Sequence, residues 1–244
     1  NTQMAKFASM RPADHRAIAF VENPNYLPKI LEKGKKFNVQ DAGVNSQYSD
    51  FGGTLQGGKL YIATARNEDG ESYGWNEEPF LDIYAAQKNN DGSFQTPMAV
   101  EALNTKYHEG VVSFSPDGNT MYFSRESYFD KIFERDSLSR NKFSVLNLYK
   151  STKEDGSWTK GEALSLNSES YSVKNPAVSP DGKTLFFASD MAGGMGQFDI
   201  WSAPINDDGS VGAATNLGHK LNTEGQEMFP LVSSDNTLYF SSDG

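Results

Sequence analysis

Three short stretches, NEDGES from Asn67, NNDGSF from Asn89 and NDDGSV from Asn206, carry the density of side-chain oxygens that a calcium ion requires. None runs on into a D-x-[DN]-x-[DN]-G loop closed by glutamate. Each is therefore read as a tight turn in which Asp or Asn binds its own backbone, and no metal is assigned. Carboxylates are plentiful, at 32 Asp and Glu, and two of them flanking a sugar are the apparatus of glycoside hydrolysis. Histidine, a common base for an activated nucleophile, is scarce: His15, His108 and His219 stand far apart, and neither H-E-x-x-H nor G-x-S-x-G occurs. The absence of cysteine removes thiolate nucleophiles, thiolate zinc sites and disulfides. Asp82, Asn147 and Asp199 recur at one position of a repeat, which fits a loop-bracing hydrogen bond better than catalysis. No catalytic residue, metal ligand or cofactor is expected, and a carbohydrate-binding or glycoside-hydrolysing protein stands as the alternative.

Recognition has the stronger case. The stretch RESYFDKIFERDSLSRNKFS from Arg125 mixes Tyr128, Phe129 and Phe133 with Lys131, Arg135 and Arg140, and a shorter loop adds Tyr73 and Trp75. Aromatic residues and arginine are the anchors favoured in protein interfaces. Tyr73, Trp75, Tyr128, Phe129, Phe133 and Arg135 are therefore the candidate partner-binding residues. The competing account is that these aromatics fold back as a lid.

Such residues need a scaffold, and composition bounds it. The 244 residues, 37% of them hydrophobic, suffice for a sizeable core. A net charge of -10 argues against nucleic acid or an anionic lipid surface as partner, since both demand a lysine and arginine excess. No stretch approaches the ~18 to 20 apolar residues of a membrane-spanning helix. A cysteine-free chain suits an oxidising envelope compartment as well as the cytosol.

The scaffold itself is periodic. Asn followed by Ser or Thr recurs at Asn45, Asn104, Asn167 and Asn222, about every 60 residues. A first turn keeps step at Gly57-Gly58, Asp117-Gly118, Asp181-Gly182 and Asp235-Asn236, and DIY, NLY and DIW begin at Asp82, Asn147 and Asp199. Each unit contains four strand signals, in the third unit NPAVS, TLFFAS, FDIWSAP and VGAATNL, bounded by Gly, Asp, Asn or Pro. In the Ser-Pro-Asp-Gly turn, proline presets φ and glycine takes the left-handed conformation. The second strand of each unit is apolar on both faces, as a sheet sandwiched between two neighbours requires, and Phe186 is expected in its core. The fold class is thus all-β: a β-propeller of four-stranded antiparallel blades, incomplete in this chain and six-bladed in its parent, with a short N-terminal helical segment. Connections between second and third strands, 66–79, 125–144 and 190–197, differ in length and confine variation to one rim.

The expected organisation is a helical segment over 1–34, the end of a TPR-like domain or one helical pair, and a partial propeller over 35–244. Within it, 35–44 is a closing strand, 45–103, 104–166 and 167–221 are blades, and 222–244 starts a fourth. The closing strand rests on the likeness of KKFNVQDAGVNS (35–46) to SWTKGEALSLNS (157–168), and further blades are expected beyond Gly244.

The stretches VNSQYSDFGGTLQGGKLYIATAR and SPDGKTLFFASD, the latter followed by GGMGQFDIW, resemble the PD40 (WD40-like) repeats of TolB-type propellers over about residues 35 to 244. They are most similar to those of envelope proteins that join TPR repeats, a propeller and an OmpA-like peptidoglycan-binding domain, including PorE-like components of type IX secretion and gliding machineries. The resemblance implies a periplasmic, outer-membrane-associated scaffold. Its implied partners are envelope proteins such as an outer-membrane β-barrel or a secretion-system subunit, with peptidoglycan reached only through a domain that has no counterpart here.

Overall fold

The structure, a computed structural model, describes residues 2–32, 34, 38–135 and 142–244, with the side chains at 15, 30, 134, 135 and 142 also outside the described set. It divides into two units, residues 1–41 and residues 42–243. The first holds three short helices, α1 (Thr2–Met10), α2 (His15–Glu22) and α3 (Tyr26–Glu32). Asp14 caps α2, accepting the Arg16 backbone N–H at 3.0 Å, as the aspartate before an apolar run predicts. Gly34, at φ +68°, ends α3 by donating to Leu31 O. Ala8 and Ala17 are buried, small residues on the two helices that pack on each other. Residues 35–37 lie outside the described residues and 38–44 form no strand, so the expected closing strand is not seen.

The second unit is mostly β, with antiparallel sheets. The first sheet runs β1 (Asp50–Gln56), β2 (Lys59–Thr64), β3 (Asp82–Gln87), β4 (Met98–Ala99). The second begins with β5 (Glu109–Phe114) and β6 (Thr120–Glu126), and a two-stranded ribbon of β7 (Glu134–Arg135) and β8 (Lys142–Phe143) intervenes. It continues with β9 (Leu146–Glu154), whose hairpin partner is β10 (Ser157–Trp158) and whose outer neighbour is β11 (Glu162–Ala163). The third sheet is β12 (Val173–Val178), β13 (Thr184–Ser189), β14 (Asp199–Pro204), β15 (Thr215–Asn216). A final hairpin pairs β16 (Glu227–Val232) with β17 (Leu238–Ser242).

Turn chemistry sets the registers. Ser115, Ser179 and Ser233 each direct a hydroxyl to the aspartate two residues on, at 2.5 Å, and the fourth turn residue is left-handed: Gly118 at φ +69°, Gly182 at +73°, Asn236 at +63°. The outer turns are equally self-sufficient, Asp91 and Asp208 binding the N–H and hydroxyl of Ser93 and Ser210. In each of these turns a single carboxylate oxygen, Oδ1, takes both local donors.

The outermost strands are shorter than expected, only two residues each. The repeated asparagine explains this. Asn104 accepts the Ile83 N–H at 2.8 Å and donates to Ile83 O at 3.0 Å; Asn167 does the same at Leu148 (2.8 and 2.7 Å) and Asn222 at Ile200 (2.9 and 3.0 Å). One side-chain amide thus stands in for a strand residue, satisfying a third-strand N–H that would otherwise be buried unpaired and giving the same residue's C=O a second donor beside the N–H of Val100, Leu164 or Leu217. Asn222→Ala should cost about 1–3 kcal/mol in urea unfolding, since Ile200 would lose its amide partner where no water reaches. A loss within ~0.3 kcal/mol would show that solvent replaces the clamp.

Successive sheets pack face to face, the arrangement of consecutive propeller blades. Tyr61, Ile83 and Leu103 of the first meet Val112, Phe114, Met121 and Phe123 of the second; Tyr122, Leu148 and Leu166 then meet Val173, Leu185 and Phe187 of the third. Both faces of the second strands are covered, as their composition predicts: Met121, Tyr122 and Phe123 are all buried. In the third sheet the fully buried aromatic is Phe187, whereas Phe186 is only half-buried, because it faces outward from that core.

Candidate functional site

The inner strands β1, β5, β12 and β16 share an irregularity that periodicity does not disclose. Each carries a β-bulge at the same place, with positive φ at Gly52 (+67°), Val111 (+45°), Asn175 (+53°) and Phe229 (+54°). Only the first is a glycine. A β-branched valine in this region is strained, and it crowds the neighbouring bulge, where a Cβ on Gly52 would lie 3.2 Å from Val111 Cγ2. The bulges turn side chains of all four inner strands into one cavity of about 370 Å³, whose lining includes Phe51, Val111, Lys174, Asn175 and Phe229. The rings of Phe51 and Phe229 meet edge to face at 6.4 Å across it.

The variable loop between β2 and β3 forms the cavity's outer wall, and with it come two of the six sequence-predicted residues. Trp75 is 84% exposed and lines the opening; Tyr73 is half-buried against Phe80 and His108. Tyr128 stacks on Tyr107 at 5.6 Å and packs against Phe133 at 5.5 Å, extending one aromatic chain from Tyr73 through His108, Phe80 and Tyr107. Phe129 lies under the guanidinium of Arg125 at 4.5 Å. Tyr128, Phe129 and Phe133 are thus half-buried and folded back over the second sheet, while Trp75 projects. The Arg135 side chain lies outside the described residues.

The groups beneath are polar: Glu109, Arg125 and Asn175 are buried, His108 and Lys174 half-buried. His108 accepts the Leu81 N–H through Nδ1 at 3.0 Å, and burial pulls its pKa down to about 4, so the ring is neutral. Glu109 accepts Thr105 N–H at 2.9 Å, Thr105 Oγ1–H at 2.7 Å and Arg125 Nε–H at 2.9 Å; burial still pushes its carboxyl up to about 7. Arg125 is 1% exposed, sandwiched among Phe123, Phe129 and Tyr149, and also donates to Leu103 O. Burial also lowers the Lys174 pKa, opposed by Asp190, and its Nζ sits 3.5 Å from the Phe198 ring centroid. Asn175 Oδ1 is buried with no hydrogen-bond partner.

Sequence reasoning missed Glu109 and Arg125, although a signal existed. An acid follows the repeated asparagine by five positions at Asp50, Glu109 and Glu227, and an arginine stands near the end of the second strand, two residues beyond it at Arg66 and within it at Arg125. Asp50 pairs with Arg66 at 2.9 Å as Glu109 does with Arg125, and Ser46 and Thr223 bind their acids as Thr105 does. Recurrence identifies the carboxylate as a brace within each of these units, tying the residue after the repeated asparagine to the start of the first strand. Of the three loop braces expected, those at Asp82 and Asp199 are present, to Asn67 Nδ2 and to the N–H groups of Met195 and Gly196, whereas Asn147 makes none: its Oδ1 is buried without a hydrogen-bond partner among the described residues.

No protein-family model and no curated protein matches the chain. Among solved structures it is similar to TolB-type β-propeller proteins: TolB from Agrobacterium tumefaciens is 18% identical with TM-score 0.46, covering 76% of this chain and 50% of that one. TolB from Acinetobacter baumannii is also 18% identical at 0.46, covering 81% and 38%. Propeller enzymes lie in the same range, as with the α-L-arabinanase of Penicillium chrysogenum at 15% identity and 0.45, covering 81% and 53%. The chain spans about half the length of these structures or less, and at such identities likeness does not extend to function.

Proposed function

We propose that the chain is a non-catalytic interaction module of a propeller protein in the periplasm, working in an outer-membrane-associated assembly of the type IX secretion or gliding kind. The observation that carries the binding role is the cavity at which four bulged inner strands converge, walled by a variable loop that presents Trp75 to solvent. Rigid strands hold the floor while loops supply the individuality, the usual division in binding scaffolds. The compartment and the assembly rest on the resemblance of the repeats. A photo-crosslinker at position 75 in the producing cell should give a discrete adduct with an envelope protein, and one at Asp155, on the opposite rim, should not. Absence of an adduct from 75, or an equal yield from 155, would overturn the reading.

One observation favours a second reading, a propeller glycosidase: Glu109 lines the cavity with its pKa near neutrality, where a general acid belongs. Three hydrogen-bond donors and a structural repeat already account for this carboxylate. Turnover on a glycan panel that Glu109→Gln abolishes without unfolding would establish the enzymatic reading instead.

A further inference from the structure

The bulge of β12 presents a buried amide without a hydrogen-bond partner beside a lysine without an ion pair among the described residues. Asn175 is 5% exposed, its backbone N–H is held by Ser124 Oγ at 3.0 Å, and its side-chain amide has no hydrogen bond among the described residues. The bulge does not demand asparagine, because Gly52, Val111 and Phe229 occupy the same position in the other inner strands. Lys174 beside it has no ion pair among the described residues and rests on Phe198. The carboxylates that share the cavity are engaged elsewhere, Glu109 with Arg125 and Glu78 with the Ser49 N–H. A buried amide and a cation facing a cavity with Phe51 and Phe229 in its walls ask for a ligand with a donor, an acceptor, a negative charge and an apolar side chain.

The molecule itself shows what such an amide grips. Asn104, Asn167 and Asn222 each hold the N–H and C=O of one residue in an extended strand, and the residue before it is Asp82, Asn147 or Asp199. We infer that Lys174 and Asn175 recognise an extended, acidic segment of a protein ligand, the Asn175 amide clamping the N–H and C=O of one of its residues and Lys174 taking the adjacent carboxylate. This rests on the interaction-module reading and adds the chemical class of its ligand.

The test uses a fluorescein-labelled, end-blocked peptide of residues 197–202 (QFDIWS), which carries an aspartate beside a clampable isoleucine. Fluorescence anisotropy with the whole chain should show saturable binding below about 1 mM. Lys174→Met should weaken it roughly tenfold and erase the preference over the same peptide with Asp199→Asn. Asn175→Gly, which keeps the left-handed backbone, should weaken both peptides by about tenfold while the melting temperature holds. No saturation by about 1 mM, or variant affinities within about twofold of the parent, would overturn the inference. Failure here with the position-75 adduct intact leaves the module reading standing; loss of the adduct as well removes both.

Discussion

Arg125→Ala is expected to lower the unfolding free energy by about 3–5 kcal/mol, the effect of removing one partner from a buried ion pair. Arg125 and Glu109 are each 1% exposed, so neither charge can turn to solvent when the other is lost. Three aromatic rings, Phe123, Phe129 and Tyr149, contact the guanidinium, and their packing would be lost with the charge. Arg125→Lys keeps a charge but not the fork that reaches Glu109 and Leu103 O together, so an intermediate loss is expected. Adding Glu109→Gln to Arg125→Met should recover part of the deficit, since the stranded carboxylate is what makes the single change expensive. Urea unfolding at pH 7 measures all four. A loss under ~1 kcal/mol for Arg125→Ala would mean that water enters the site and that the pair does not brace the second sheet.

Phe187→Ala should cost about 3–5 kcal/mol through lost burial and a residual cavity. Its ring is fully buried between the second and third sheets, against Tyr122, Leu148 and Trp201 among others. Phe186→Ala, one residue away on the opposite face of β13, should cost about half as much, because its ring is only half-buried before any change. The comparison isolates the face from the residue type. Equal losses would mean that the face beyond β13 is as well covered as the core behind it, contrary to the packing described.

Much of the fold was legible because its determinants are local. Proline, aspartate and glycine in the repeated turns act within five residues, and an apolar run too hydrophobic for a half-solvated sheet announces neighbours on both sides. The asparagine landmark was visible too, but its purpose was not: the amide serves a peptide unit about 20 residues earlier, a contact that periodicity marks without explaining. The aromatic insertion was legible as a cluster and not as a surface, because folding back or projecting depends on what lies beneath. The guanidinium of the buried Arg125 packs on the Phe129 ring and draws it inward, while no such contact holds Trp75 among the described residues.

Sequence by itself determined the repeat, the hairpins and the rim on which variation collects, since backbone geometry and burial pattern are written in residues close along the chain. Tertiary structure alone decided that four bulges converge on one cavity, that a buried acid meets its arginine, and that Lys174 and Asn175 line that cavity, the asparagine's Oδ1 without a hydrogen-bond partner among the described residues. Those outcomes depend on side chains from different units, brought together only after each sheet has formed and stacked on the next, so their energies follow from enclosure and not from local preference.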